Sequence, residues 1–413
     1  MTTVDEFTTD RPQNDKPRTG PLAGMRVIDA ATVYAGPLAA TMLGDFGADV
    51  IKVEHPDGDS ARTHGRSKDG VGLWWKVLGR NKRTVTAKLS TPEGRELFLD
   101  LVRTADVLIE NFRPGVFERW GLSPELLHEI NPGLVVLRVT GFGQTGPAAQ
   151  RRAFGTLIEA MSGLAHMTGD PDGPPTLPPF GLADGTAALA GAYATTLALL
   201  HRERAGGRGQ VIDLSLLEPL LMILGPAPTV YDQLGEIPGR HGNRSPNNAP
   251  RNTYLTRDGR WVAVSASSLS VAQRVLTLVG HPEVCEEPWF RSAGERVEHA
   301  DELDGYVAAW IGAHDAAHVI AEFERVGAAL APVYTVEDLV NDPQVIDRDI
   351  ITTVDDDQLG PLRMQNVMFR MSDTPGDIAF TGRELGRDND EIYVKELGHD
   401  LGRLRDLQDG GVL

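Results

Sequence analysis

The chain has 413 residues, 41% hydrophobic and 24% charged, an ordinary globular balance with enough length for two or three domains and a buried core. A net charge of −18 lacks the basic face that nucleic acids and anionic membranes require, yet leaves room for a small polyanion in a local basic pocket. One cysteine, Cys285, excludes an intrachain disulfide and a cysteine-built zinc cluster, and fits a reducing cytoplasmic location.

The opening MTTVDEFTTDRPQNDKPRTG, 1–20, is polar, has no apolar signal core and reads as a flexible arm. MRVIDA (25–30) is a strand, AGPLAATMLGDFGA (35–48) a helix and DVIKVEH (49–55) a second strand. TPEGRELFLDLVRTA (91–105) is a helix capped by Thr91, with Pro92 at its first position. DVLIENF (106–112), SPELLHEINP (123–132) and LVVLRVTGFG (134–143) continue as strand, helix and strand. This alternation predicts βαβ units and an open, mostly parallel sheet. A helix follows from Asp184 to Arg204, then a strand running into a second apolar helix over 209–224. The apolar stretch from Ala187 to Leu200 is shorter than the roughly 18 consecutive apolar residues of a membrane span. Residues 229–252, rich in Gly, Pro and Asn, read as linker, and 252–267 as a hairpin turning at Asp258-Gly259. Polar helices fill 270–327, and 331–344 returns to the first texture. The expected organisation is an α/β fold: arm 1–20, large-domain part 21–225, small α+β insert 226–330, and a C-terminal part 331–413 that completes the large domain.

Familiar cofactor signatures are missing. No GxGxxG follows the first strand, and no GxxxxGK[ST] or GxSxG occurs. None of the 11 histidines stands in an HExxH motif. Neither a nucleotide cofactor nor a metal is expected. Two features remain. GRSKDGVGLWWKVLGRNKRT (65–84) sets six cations, Arg66, Lys68, Lys76, Arg80, Lys82 and Arg83, around Trp74 and Trp75. It is either a solvated surface loop or a patch for a ligand with several phosphates and a purine. Asp184 stands alone before a long apolar run. It is either a helix N-cap or a nucleophile kept ionised by the helix dipole, with Gly185 allowing close approach.

Several ordered blocks carry a resemblance. They are PLAGMRVIDAATVYAGPLAATMLGDFGADVIKVEHPDGDSAR, NKRTVTAKLSTPEGRELF, ADVLIENFRPGVFERWGL, the central run from Gly155 to Glu218, RHGNRSPNNAP and ELGRDNDEIYVKELG. From about Pro21 to Val412 the chain resembles the class III CoA-transferases, the CaiB/BaiF or formyl-CoA transferase family. The resemblance implies a Rossmann-like large domain, an interlocked homodimer, and an enzyme that moves CoA from an acyl-CoA to a free carboxylic acid. It implies that Asp184 is the covalent nucleophile. Coenzyme A contacts would fall at His55, Ala87, Lys88, Leu89, Ser90, Asn111, Phe112, Arg113 and Arg119. Tyr34, Ala35, Phe154 and Thr156 would face the acyl group, and Gly239, Gly242 and the Gly141–Gly146 stretch would supply oxyanion donors. His55 and Ser90 replace basic residues of some relatives. Tyr34, Ala153 and Thr156 replace the Gln, Lys and Glu of formyl-CoA transferase, so formyl-CoA and oxalate are not assigned as substrates. The related acyl-CoA racemases need a histidine where this chain has Phe154, and no histidine lies between His128 and His166. Transfer is therefore favoured over racemisation.

Overall fold

The computed structural model describes residues 19–413, so the expected arm at 1–20 lies outside the described residues except for its last two. The chain divides into two compact units. The first contains residues 19–162, 178–225 and 346–413. Its centre is a six-stranded sheet of β1 (Arg26–Asp29), β2 (Asp49–Glu54), β3 (Lys82–Thr86), β4 (Val107–Glu110), β5 (Val135–Thr140) and β6 (Val211–Ser215). The order is β3-β2-β1-β4-β5-β6 and every pair is parallel. Parallel strands covered on both faces must be apolar throughout, and Val50, Ile51, Leu108, Ile109, Val135 and Leu137 are fully buried.

The helices of this unit include α1 (Ala35–Asp45), α2 (Pro92–Val102), α3 (Gly155–Met161), α4 (Leu182–Arg204) and α5 (Leu217–Ile223). The hydroxyl of Thr91 accepts the Gly94 N–H at 3.1 Å, the cap expected for α2. Small residues of α4, among them Ala183, Ala187, Ala188 and Gly191, are buried and let it lie close against α1. A methyl group on Gly191 would come within 3.0 Å of Leu137.

The second unit contains residues 163–177 and 226–345. Where a linker was expected, α6 (Ala227–Leu234) forms and ends at Gly235, whose φ of +69° only glycine adopts freely. β7 (Arg251–Leu255) and β8 (Trp261–Ser265) make the expected hairpin. β9 (Leu330–Pro332) adds to β8 at Val262↔Pro332, so this unit continues past 330 instead of handing back to the first. Residues 163–177 belong to it through backbone bonds such as Gly242 N–H to Gly169 O at 2.8 Å. The first unit resumes at Ile346. There Lys88 N–H donates to Val412 O at 2.8 Å, and the buried Tyr393 hydroxyl donates to Thr86 O at 3.0 Å.

Four charged side chains are buried among β1 to β3 and the segment that follows β2. Asp29, Lys52 and Lys82 are each 0% exposed, and Asp59 joins them. Lys82 Nζ is 2.8 Å from Asp29, and Lys52 Nζ is 3.0 Å from Asp59 and 3.6 Å from Asp29. The lysines also donate to the carbonyls of Pro37 and Ala31, and Asp59 accepts the Val33 N–H at 3.1 Å. These bonds fix the loop between β1 and α1, where Val33 has φ +67°, a strained conformation for a β-branched residue. Removing one partner leaves a buried charge uncompensated. Lys52→Met is expected to lower the unfolding free energy by about 3–5 kcal/mol in urea titration.

Candidate active site

In open parallel sheets a ligand crevice forms at the carboxyl ends of the strands, where the strand order reverses. Here the reversal lies between β1 and β4. A cavity of about 650 Å³ opens there, bounded by Thr32–Ala35 after β1, Asn111 after β4, Gly141 after β5 and Leu216 after β6. Phe154–Thr156, Phe180 and Asp184 line it as well. A second cavity of about 160 Å³ adjoins the ends of β1 to β4, with Thr32 common to both. The Asn111 side chain accepts the Thr32 N–H at 2.8 Å and donates to Thr32 O at 2.7 Å, so it locks the loop between them.

Asp184 is not the N-cap of its helix. α4 begins two residues earlier, at Leu182, with Gly181 at the cap position, and Asp184 stands in the first turn. Its carboxylate enters a space left by the glycine at the start of α3. A methyl group on Gly155 would lie 2.1 Å from Asp184 Oδ2. The backbone N–H groups of Asp184 and Gly155 lie beside the carboxylate and favour its charged form. One turn further along α3, Glu159 is buried and accepts the Ala183 N–H at 3.1 Å. Desolvation, and next the Glu159 charge, push the Asp184 carboxyl up to about 6, against the opposing pull of the two N–H donors. Tyr34 packs on Gly181, where a methyl would come within 2.8 Å of its ring, and meets Trp74 edge-on at 4.8 Å. Burial and then the Asp184 charge raise the phenol above its ordinary range, so Tyr34 remains a donor. Trp74 in turn meets His64 edge-on at 5.5 Å, and His64 lines the same cavity.

The expected residues separate into groups. Tyr34, Ala35, Asn111, Phe154, Thr156 and Asp184 line the larger cavity. His55, Ala87, Leu89, Ser90 and Phe112 line the smaller one, together with Trp120. Lys88, Arg113 and Arg119 line neither, and among the described residues none of the three makes an ion pair. Gly239 and Gly242 belong to the second unit. Gly141 borders the larger cavity, but its lack of a side chain is explained by packing, since a methyl there would meet Ala153 at 2.1 Å. The basic stretch is largely consumed inside the fold. Lys76 pairs with Asp356, Arg80 with Asp45, Lys82 with Asp29 and Arg83 with Asp49, which leaves Arg66 and Lys68 exposed. Sequence reasoning missed Glu159 and His64. An acidic residue inside the apolar run LIEAM was the available signal for the first, whereas nothing local marked the second. Among the described residues no three His, Cys, Asp or Glu side chains gather as a metal-holding group, and no helix is long and apolar enough to cross a membrane.

The family model described as CoA-transferase family III matches residues 22–389. The chain belongs to CoA-transferase family III. As a member of this family it is a CoA-transferase. It is 42% identical over 380 residues to a succinyl-CoA–D-citramalate CoA-transferase of Chloroflexus aurantiacus, covering 92% of this chain and 94% of that one. It is 39% identical over 400 residues to the beta subunit of a succinyl-CoA–L-malate CoA-transferase of the same organism, covering 96% and 98%. A crystal structure of a CaiB/BaiF family protein from Brucella suis superposes with a TM-score of 0.81 at 33% identity, covering 92% of this chain and all of that one.

Two outcomes follow from the carboxylate's surroundings. Gly155→Ala displaces Asp184 Oδ2, so CoA exchange should fall at least about a hundredfold while the circular dichroism spectrum is retained. The folded carboxyl, at about 6, holds its proton more tightly than the unfolded one at 3.8. Ionised Asp184 therefore costs stability above about pH 6, and the cost vanishes as pH falls towards 3.8. Asp184→Asn should raise the melting temperature at pH 8 and leave it nearly unchanged at pH 4.

Proposed function

We propose that this CoA-transferase moves CoA between dicarboxylic acids, with Asp184 as the transient carrier. The observation that carries the reading is a partly desolvated carboxylate, seated against Gly155, on a cavity at the sheet's switch point. Asp184 attacks the donor thioester carbonyl, forming a mixed anhydride and releasing the CoA thiolate. The thiolate attacks the aspartyl carbonyl, giving aspartyl-CoA thioester and freeing the donor acid. The acceptor carboxylate then attacks that thioester and expels the thiolate again. The thiolate finally attacks the acceptor's carbonyl in the second anhydride, which yields the new acyl-CoA and restores Asp184. Water and net proton transfer enter no step. A carboxylate suits the work because it is both nucleophile and leaving group. The raised proton affinity strengthens it as a nucleophile while leaving it ionised at neutral pH.

The smaller cavity, with Phe112 and Trp120 in its wall, is read as the adenine end of CoA. Lys88, Arg113 and Arg119 are free to meet phosphates. Dicarboxylic acids are favoured by the relatives' succinyl-CoA, citramalate and malate. Among the residues lining the larger cavity, His64 is the one with a basic side chain, suited to face a distal carboxylate. Two copies are read as interlocking, with the exposed apolar face Leu189, Tyr193, Leu197 and Leu200 of α4 as one covered surface. A panel of acyl-CoA donors and acids tests the assignment. Asp184→Ala should reduce exchange by at least about a thousandfold. His64→Ala should raise KM for dicarboxylic acceptors severalfold more than for monocarboxylic ones.

A racemase reading has one observation in its favour. His64 reaches the Asp184 cavity although the histidine expected at Phe154 is absent, so two proton-exchanging groups do face one space. Deuterium uptake at the α-carbon of a 2-methylacyl-CoA without acceptor acid, abolished by His64→Ala, would support it over transfer.

A further inference from the structure

We infer that Glu159 is a positioning residue whose buried negative charge is set behind Asp184 so that acylation, which discharges Asp184, relieves a like-charge repulsion. The inference rests on Asp184 being the acyl carrier. Glu159 is 1% exposed, and among the described residues it forms no ion pair with a lysine, arginine or histidine. Its Oε1 accepts the Ala183 N–H at 3.1 Å, on the peptide immediately preceding Asp184. Gly155, against which the Asp184 carboxylate packs, lies one turn away on the same helix. A buried carboxylate without a cation is expensive, and core packing alone would be better served by an apolar side chain.

The arrangement has a direction. Glu159 does not line the ligand cavity, whereas Asp184 does. When the Asp184 oxygen bonds to the donor carbonyl carbon, its negative charge passes to the thioester oxygen and then to the departing sulfur, away from Glu159. In both the anhydride and the aspartyl-CoA thioester Asp184 is neutral. The repulsion thus acts on the free enzyme and is absent from the covalent intermediates, which raises the rate of attack. Other titratable groups nearby have separate tasks. α4 contributes Asp184 itself. α5 contributes Glu218, which accepts from the Ser215 hydroxyl at 2.9 Å. Tyr34 and His64 stand on the cavity wall.

Glu159→Gln keeps an amide oxygen for the Ala183 N–H and nearly the same volume while removing the charge. Single-turnover acylation by succinyl-CoA should then be about three- to tenfold slower at pH 8. Its pH midpoint should move down from about 6 towards the ordinary carboxylate range, so that the two enzymes converge near pH 5. Glu159→Asp keeps the charge and should keep the high midpoint. A Glu159→Gln enzyme with wild-type rate and pH profile overturns the inference, because only the hydrogen bond would then matter. If Glu159→Gln does not fold, a Glu159→Asp enzyme whose midpoint falls into the ordinary range overturns it equally. Asp184→Asn assayed alongside separates the two levels. Retained exchange there removes the carrier itself, whereas a dead Asp184→Asn beside an unaltered Glu159→Gln removes only the role of Glu159.

Discussion

An oxygen of Asp184 occupies the space where any residue other than glycine at 155 would place its Cβ. This contact fixes which way the carboxylate points and desolvates one side of it. Its consequences run outward. α3 must start at Gly155, and α4 must start early enough to place Asp184 in its first turn instead of at its cap. The small buried residues of α4 keep that turn close to α1, which follows the loop bearing Tyr34. Desolvation in this space, more than any single neighbour, gives the carboxyl its raised proton affinity.

The opposite wall of the cavity is built on charge. The loop from Ala31 to Ala35 carries a strained Val33, and strain persists only where surroundings outweigh it. The buried ions Asp29, Lys52, Asp59 and Lys82 supply that restraint from below, and the Asn111 amide supplies it from the side. Such a cluster is no efficient source of stability, since desolvation consumes much of its attraction. Its value lies in fixing one loop geometry. The phenol ring of Tyr34 is thereby held against Gly181 and Trp74.

Much of this was legible in the chain. Alternating apolar runs and the Thr91 cap are local signals, and they located the parallel strands and their helices. Asp184 stood out because a lone carboxylate precedes an apolar helix, and the ordered family blocks singled out the same residue. What escaped depends on partners distant in sequence. The cations of 65–84 read either as a solvated surface loop or as a phosphate patch, yet Arg80 meets Asp45 and Lys76 meets Asp356, pairings that no local pattern reveals. Strand Leu330–Pro332 resembled the start of a new segment because its partner lies far earlier, at Val262–Val264. His64 lies far from Phe154 along the chain, although the fold brings it to the same cavity. Glu159 carries only a weak local signal, because a glutamate in a helix is ordinarily a solvent-facing residue.

The account stands on Asp184 forming a covalent bond during transfer. The most direct measurement is rapid quenching of the enzyme with succinyl-CoA alone, followed by peptide mapping by mass spectrometry. A CoA adduct that forms within one turnover, resides on the peptide at Asp184 and disappears on addition of an acceptor acid is the predicted result. Exchange that proceeds at full rate with that peptide unmodified, or with the adduct on another side chain, would contradict it.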